Sequence, residues 1–231
     1  MLLHVCSLSW DDLDVVGMRN HPLLRRFDAV FTQFNSAASY SGPAMLRVLR
    51  GNCGQQPHKA LYEGTDPSCY VFHSLERLGY KTHALLNHDG HFDQFLTDLE
   101  CVGRPVVVLL VPEHGAALRG DKLQISGMRE IPSPRITLVP AAMKIVGLPA
   151  GAGSGPVVVD QPVSYFGLNA LLGDMLRDSP FTPGSRPLAE RMAHLETTAF
   201  ASENGDMLVM RDAAGQYRMR TDKGVWVPYN P

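Results

Sequence analysis

Cys6, Ser41, Glu113 and His114 are the residues whose types best suit shared chemistry, and each lies just beyond an apolar run. Cys6 follows 2–5 directly, Ser41 stands in the segment after 29–34, and Glu113-His114 closes VVVLLVPEHG. Together they offer sulfur, oxygen, oxygen and nitrogen, a donor set that suits one tetrahedral Zn2+. Ser41 has a further quality. It sits at the start of a predicted helix over 43–50, with Pro43 in the first turn. Unpaired N–H groups and the dipole at such a terminus favour a phosphate. A serine hydroxyl bonded there to a divalent cation is acidified and ready to attack phosphorus.

Other readings of the same residues stand beside this one. Glu113-His114-Gly115 after Pro112 also reads as a solvated turn, Cys6 as a small buried hydrophobe, and Ser39 and Ser41 as helix caps. His83, His88 and His91 cluster in HALLNHDGH and form a second candidate metal group, although each alone reads as an ordinary histidine. The glycine-rich 150–155 has no following Lys-Ser/Thr and reads as a loop rather than a phosphate cradle. No Gly-x-Ser-x-Gly elbow is present, which disfavours a serine hydrolase of that type.

The elements that must hold these groups alternate short apolar runs with helical patterns. That order predicts an α/β fold with a largely parallel central sheet flanked by helices. Strands are expected at 2–5, 29–34, 83–86, 106–111, 136–147 and 157–159. The run 106–111 is apolar on both faces and reads as a central parallel strand. Helices are expected from 9–12, where Ser9 and Asp12 form a capping box, and over 68–78, 91–99, 165–176 and 188–195. Residues 207–211 and 217–220 flank Ala213-Ala214-Gly215 as a β-hairpin, to which 226–229 adds an edge. The chain is read as one catalytic domain over 1–231, with a core at 1–196 and a C-terminal β extension at 197–231. In such a sheet ligands gather at the carboxyl ends of the strands, where the four donor residues fall.

Composition narrows the function classes. Hydrophobic residues at 45% and charged residues at 19% support a sizeable core. A net charge of −2 without a Lys/Arg-rich run disfavours nucleic acid as a partner. No stretch reaches the roughly 18 apolar residues of a membrane helix, and the first residues do not form a signal peptide. Because 2–5 already reads as a strand, the natural protein is expected to begin earlier. The cysteines at 6, 53, 69 and 101 lack CxxC spacing. Cys53 and Cys69 flank a polar loop and are either a disulfide or two unrelated thiols.

Longer motifs are more specific. CSLSWDDLD, FNSAASYSGPAMLRVLRGNCGQ, VPEHGAALRGDKLQISGMREIPSP, PVVVDQPVSYFGLNALL and the terminal WVPY together resemble the bacterial cellulose-synthesis phosphoethanolamine transferases. These are membrane-anchored members of the alkaline-phosphatase superfamily, and the resemblance covers nearly the whole chain. It implies a catalytic domain on the periplasmic face of the inner membrane, working with the cellulose synthase complex. It also implies Zn2+, phosphatidylethanolamine as donor and glucose 6-hydroxyls of cellulose as acceptor. By motif, the metal ligands fall on Cys6, Ser41, Glu113 and His114, with Ser41 the nucleophile. Tyr40 and Arg129 fall on active-site positions, and Cys53 and Cys69 on a disulfide. One departure stands out: FDQFLTDLECVGRPVVVLLVPEHG joins residues that the family separates by a long, histidine-bearing segment. Phosphodiesterase activity and an inactive scaffold role are the rival expectations for a chain shortened there.

Overall fold

Residues 106–111 are uninterruptedly apolar because both faces of the strand they form are covered. In the computed structural model, which describes residues 1–85, 91–148 and 156–231, they belong to β3 (Val106–Pro112). Val107, Leu109 and Val111 enter one apolar cluster, and Val106, Val108 and Leu110 enter another on the opposite face. This is the two-residue alternation of a pleated strand, here with both sides packed.

β1 (Leu2–Val5) lies parallel to β3, with Val5 level with Pro112. On its other side β3 pairs antiparallel with β4 (Leu138–Val146). β4 in turn pairs antiparallel with β2 (Ala29–Asn35), which carries β5 (Val157–Val159) and β6 (Val163–Ser164) parallel to itself. The order is β1-β3-β4-β2-β5, with β6 on β2. The largely parallel, helix-flanked sheet is therefore as expected, with β4 its reversed member. That reversal moves the expected parallel partner of β3 to one side only.

Helices cover both faces. Against one face pack α1 (Trp10–Val15) and α4 (Phe92–Val102), through Trp10, Leu13 and the fully buried Leu96. Against the other pack α2 (Ser41–Leu49), α6 (Tyr165–Arg177) and α7 (Leu188–Ala193), through Val48, Leu168, Leu171 and Met192. The Ser9–Asp12 capping box forms as expected. Among the described residues no helix is long and apolar enough to cross a membrane.

Several boundaries differ from expectation for identifiable reasons. The helix expected over 43–50 begins at Ser41, which places that residue inside the first turn. The helix expected over 68–78 divides into a tight turn and α3 (Val71–Arg77), because Tyr70 between them is extended. No strand forms over 83–85, where Leu85 is 92% exposed and has no sheet to join; Leu86 lies outside the described residues. The start of 136–147 belongs to α5 (Pro134–Thr137), initiated by Ser133 as cap and Pro134. The glycine-rich 150–155 also lies outside the described residues. The polar loop is closed, with Cys53 and Cys69 bonded, while Cys6 and Cys101 remain free thiols.

The C-terminal segment forms an antiparallel sheet, ordered β10-β9-β8-β7. β8 (Met207–Arg211) and β9 (Tyr217–Arg220) are the expected hairpin, and β10 (Trp226–Pro228) the expected edge. β7 (Ala201–Asn204) was not expected, and it joins this sheet to the core. Asn35 Nδ2 donates to the Ala201 carbonyl at 2.9 Å, and Glu203 N–H to the Ala37 carbonyl at 3.1 Å. Arg47 of α2, 3% exposed, reaches Glu203 Oε2 at 2.9 Å. Burial pushes the Arg47 guanidinium below its ordinary range, and Glu203 opposes that shift. Removing the carboxylate would leave a buried cation unpaired. Glu203→Ala is therefore expected to cost about 3–5 kcal/mol in urea unfolding. A loss under about 1 kcal/mol would show that the pair does not hold the two sheets together.

Candidate metal centre

Because β1 and β3 run parallel and end level with each other, the residues that follow them emerge side by side. Glu113 N–H extends the ladder, donating to the Val5 carbonyl at 2.9 Å. Cys6 past the end of β1 and Glu113-His114 past the end of β3 consequently meet, with donor atoms all within 4.8 Å of one another. β2 ends further along the same sheet edge, and the chain returns through 36–40 to α2. In that loop Ala37 holds a φ of +58°, fixed by its N–H donating to Asn35 Oδ1 at 2.9 Å. A non-glycine residue there costs about 1–2 kcal/mol. The turn brings Ser41 Oγ to 3.6 Å from Cys6 Sγ. All four expected donor residues therefore converge.

The glycine after His114 is a spatial requirement rather than a torsional one. A Cβ on Gly115 would stand 2.3 Å from Ser9 Oγ and 2.8 Å from Asp12 Oδ2, inside the capping box of α1. The Glu-His turn is thus pressed against a helix start that is itself hydrogen-bonded.

Protonation follows from the contacts. His114 is fully buried, and its Nδ1 lies 2.9 Å from the Gly115 carbonyl. A carbonyl only accepts, so Nδ1 is assigned the proton and Nε2 keeps its lone pair. Nε2 lies 3.7 Å from Glu113 Oε2 and 3.3 Å from Arg129 Nη1. Burial foremost, with the Arg129 charge, lowers the His114 pKa, against the opposing effects of the Gly115 bond and Glu113. The imidazole is held neutral, as a metal ligand must be. Glu113 Oε2 is buried and has no hydrogen-bond partner among the described residues. A carboxylate oxygen left so is costly, and a cation is the partner that would satisfy it. The donor set and this orphaned oxygen fit a bound metal ion.

Arg129 and Tyr40 border the same space. The residues before β4 lead into the sheet at this edge because β4 is reversed, and that delivers Arg129. Its guanidinium lies 5.6 Å from the Tyr40 ring centroid. Tyr40 donates its hydroxyl to Glu130 Oε1 at 2.5 Å, and this bond foremost raises its pKa. Tyr40 supplies no side-chain cap to α2, whose first turn carries the exposed Ser41.

Sequence reasoning missed His4. It precedes Cys6 by two residues, so the strand period that places Cys6 at the site also points to His4. Its Nδ1 lies 3.4 Å from Glu113 Oε1, and burial foremost lowers its pKa. Glu130 and Asn204 were missed too; Asn204 Nδ2 donates to the Glu130 carbonyl at 2.8 Å. The rival histidine group lies partly outside the described residues. Among the described residues Cys6, Glu113 and His114 form the one such metal-binding group, His83 is exposed, and His88 lies outside them.

Comparison with known proteins shows the family and the fold. A family model described as the cellulose biosynthesis protein BcsG C-terminal domain matches residues 1–101 and 93–226. The cellulose biosynthesis proteins BcsG of Salmonella typhimurium and Escherichia coli are 31% and 30% identical over 321 positions, covering 99% of this chain. The chain spans 57% of the length of each. The alignments run about 90 positions beyond the 231 residues here, and the two family-model matches meet at 93–101, within α4. This agrees with the expected join between that helix and β3. A solved protein of the alkaline phosphatase superfamily from Vibrio parahaemolyticus shares the fold, with a TM-score of 0.53 and 10% identity. It is matched over 100% of this chain and 81% of that one.

The close approach at Gly115 gives a test. Gly115→Ala must push the Glu-His turn away from α1, at a cost of about 1–3 kcal/mol. Urea unfolding together with metal analysis should show both lower stability and lower metal occupancy than the wild type. Unchanged values for both would mean that the turn has no need of this contact.

Proposed function

The chain belongs to the cellulose biosynthesis protein BcsG C-terminal domain family, and on that premise we propose that it is a zinc-dependent phosphoethanolamine transferase. The observation that carries the proposal is the meeting of a thiol, a neutral imidazole and an orphaned buried carboxylate oxygen beside a serine hydroxyl at a helix start. Cys6, Glu113, His114 and Ser41 would hold the metal. Bound there, zinc would supply Lewis-acid chemistry, lowering the pKa of a coordinated hydroxyl.

The chain's own groups then divide the work. Ser41 Oγ attacks the phosphorus of phosphatidylethanolamine; a serine–phosphorus bond forms, the lipid oxygen–phosphorus bond breaks, and diacylglycerol leaves with a proton. Arg129 and the first turn of α2 balance charge on the phosphoryl oxygens. Burial keeps His114 neutral while the Gly115 carbonyl holds its Nδ1 proton, and the Tyr40 ring walls the space beside Arg129. A glucose 6-hydroxyl of cellulose next attacks phosphorus, its proton is released, and Ser41 is restored. Residues 1–231 are proposed to act as one catalytic domain, with 197–231 as its extension. Its setting would be the periplasmic face of the inner membrane, beside the cellulose synthase complex.

A second reading has an observation of its own. About 90 positions of the relatives have no counterpart here, beside the strand that leads to Glu113 and His114. A site so shortened would accept water in place of the sugar and act as a phosphodiesterase, or would bind without turnover as a scaffold.

Metal analysis is expected to find about one zinc per chain, lost in Cys6→Ala and in His114→Ala. Phosphatidylethanolamine turnover should vanish in Ser41→Ala and fall about 10²–10³-fold in Arg129→Ala. Adding cello-oligosaccharide should yield phosphoethanolamine-labelled sugar. Ethanolamine phosphate released at the same rate with or without sugar would select the hydrolase. A folded, metal-free wild type would leave only the scaffold.

A further inference from the structure

Arg129 and Glu130 are consecutive, oppositely charged and not paired with each other. Arg129 turns inward, with Nη1 3.3 Å from His114 Nε2. Glu130 turns the other way and is fixed from two sides. Tyr40 donates to its Oε1 at 2.5 Å, and Asn204 donates to its main-chain carbonyl at 2.8 Å. Its side chain is exposed, and among the described residues the carboxylate makes no ion pair. A cation and an anion, each without an ion-pair partner among the described residues, thus flank Tyr40 at the rim of the donor cluster.

This pattern is complementary to a small zwitterion that carries its own anion and cation on a short tether. From it we infer that Glu130 is the residue that recognises the ammonium of the transferred headgroup, while Arg129 takes the phosphoryl end. The inference rests on the phosphoethanolamine reading and deepens it by naming what selects the headgroup. Two features separate this role from that of a plain partner for Tyr40. One hydroxyl bond uses only part of the accepting capacity of a carboxylate, which leaves positions open for an N–H donor. The bond also points the carboxylate along the Tyr40 side chain, which begins beside the nucleophile. Glutamine at this position would keep an acceptor for Tyr40 while removing the charge.

Calorimetry on the zinc-loaded full chain, with O-phosphoethanolamine and ethyl phosphate as ligands, tests this directly. The two ligands differ in the ammonium alone. Wild type should bind phosphoethanolamine about tenfold more tightly than ethyl phosphate, the size of one charge-assisted hydrogen bond. Glu130→Gln should bring the two within about twofold while leaving ethyl phosphate affinity and melting temperature unchanged. Glu130→Asp should recover part of the preference. A tenfold preference that survives in Glu130→Gln, or a wild type without any preference, overturns the inference and leaves the phosphoester reading intact. Failure of the wild type to bind either anion overturns both.

Discussion

The parallel ladder between β1 and β3 is the constraint on which the rest depends. It ends both strands at the same level, with Val5 opposite Pro112, so a thiol just past one strand meets a carboxylate and an imidazole just past the other. A slip of one residue would turn every side chain of β3 to the opposite face. The slip is prevented because Val107, Leu109 and Val111 fit one cluster and Val106, Val108 and Leu110 the other. Each fully buried apolar side chain contributes on the order of 1.5–3 kcal/mol, and the two clusters hold many of them. The core therefore sets the position of the donors, and the Glu113 oxygen left unpaired is tolerated at its expense.

The C-terminal sheet secures the other half of the site. β7 holds Asn35 and Ala37 ahead of the nucleophile through main-chain partners, and holds Arg47 behind it through Glu203. Its last residue, Asn204, grips the carbonyl of Glu130, which in turn bonds Tyr40. One strand thus ties the segment carrying Ser41 to the segment carrying Arg129. These two segments adjoin the neighbouring strands β2 and β4, paired at Asn35 and Leu138, and β7 adds a second tie between them. Strain at Ala37 persists because contacts on both sides fix it.

The sequence made the core strands and the donor residues legible because both obey short-range rules. Residues 106–111 announce a strand packed on two faces, and the Ser9–Asp12 capping box announces the start of α1. Motif resemblance located Cys6, Ser41, Glu113 and His114, and the fold brings them together. What stayed hidden depends on distant pairing. The reversal of β4 cannot be read from its apolar run, since a buried strand reads alike in either direction. β7 is short and polar, and its role lies in partners more than 140 positions away, such as His58 and Arg47. The need for glycine at 115 comes from Ser9, which local pattern does not reveal. His4 was within reach, on β1 and two residues before Cys6.

Everything proposed for the reaction requires one cation shared by these side chains. X-ray absorption at the zinc edge of the metal-loaded chain addresses that most directly. One sulfur near 2.3 Å with nitrogen and oxygen near 2.0–2.2 Å, about four ligands in all, is expected, and the sulfur should disappear in Cys6→Ser. A shell of nitrogen and oxygen alone in the wild type, unchanged by that substitution, would contradict a metal centre built on Cys6, Glu113 and His114.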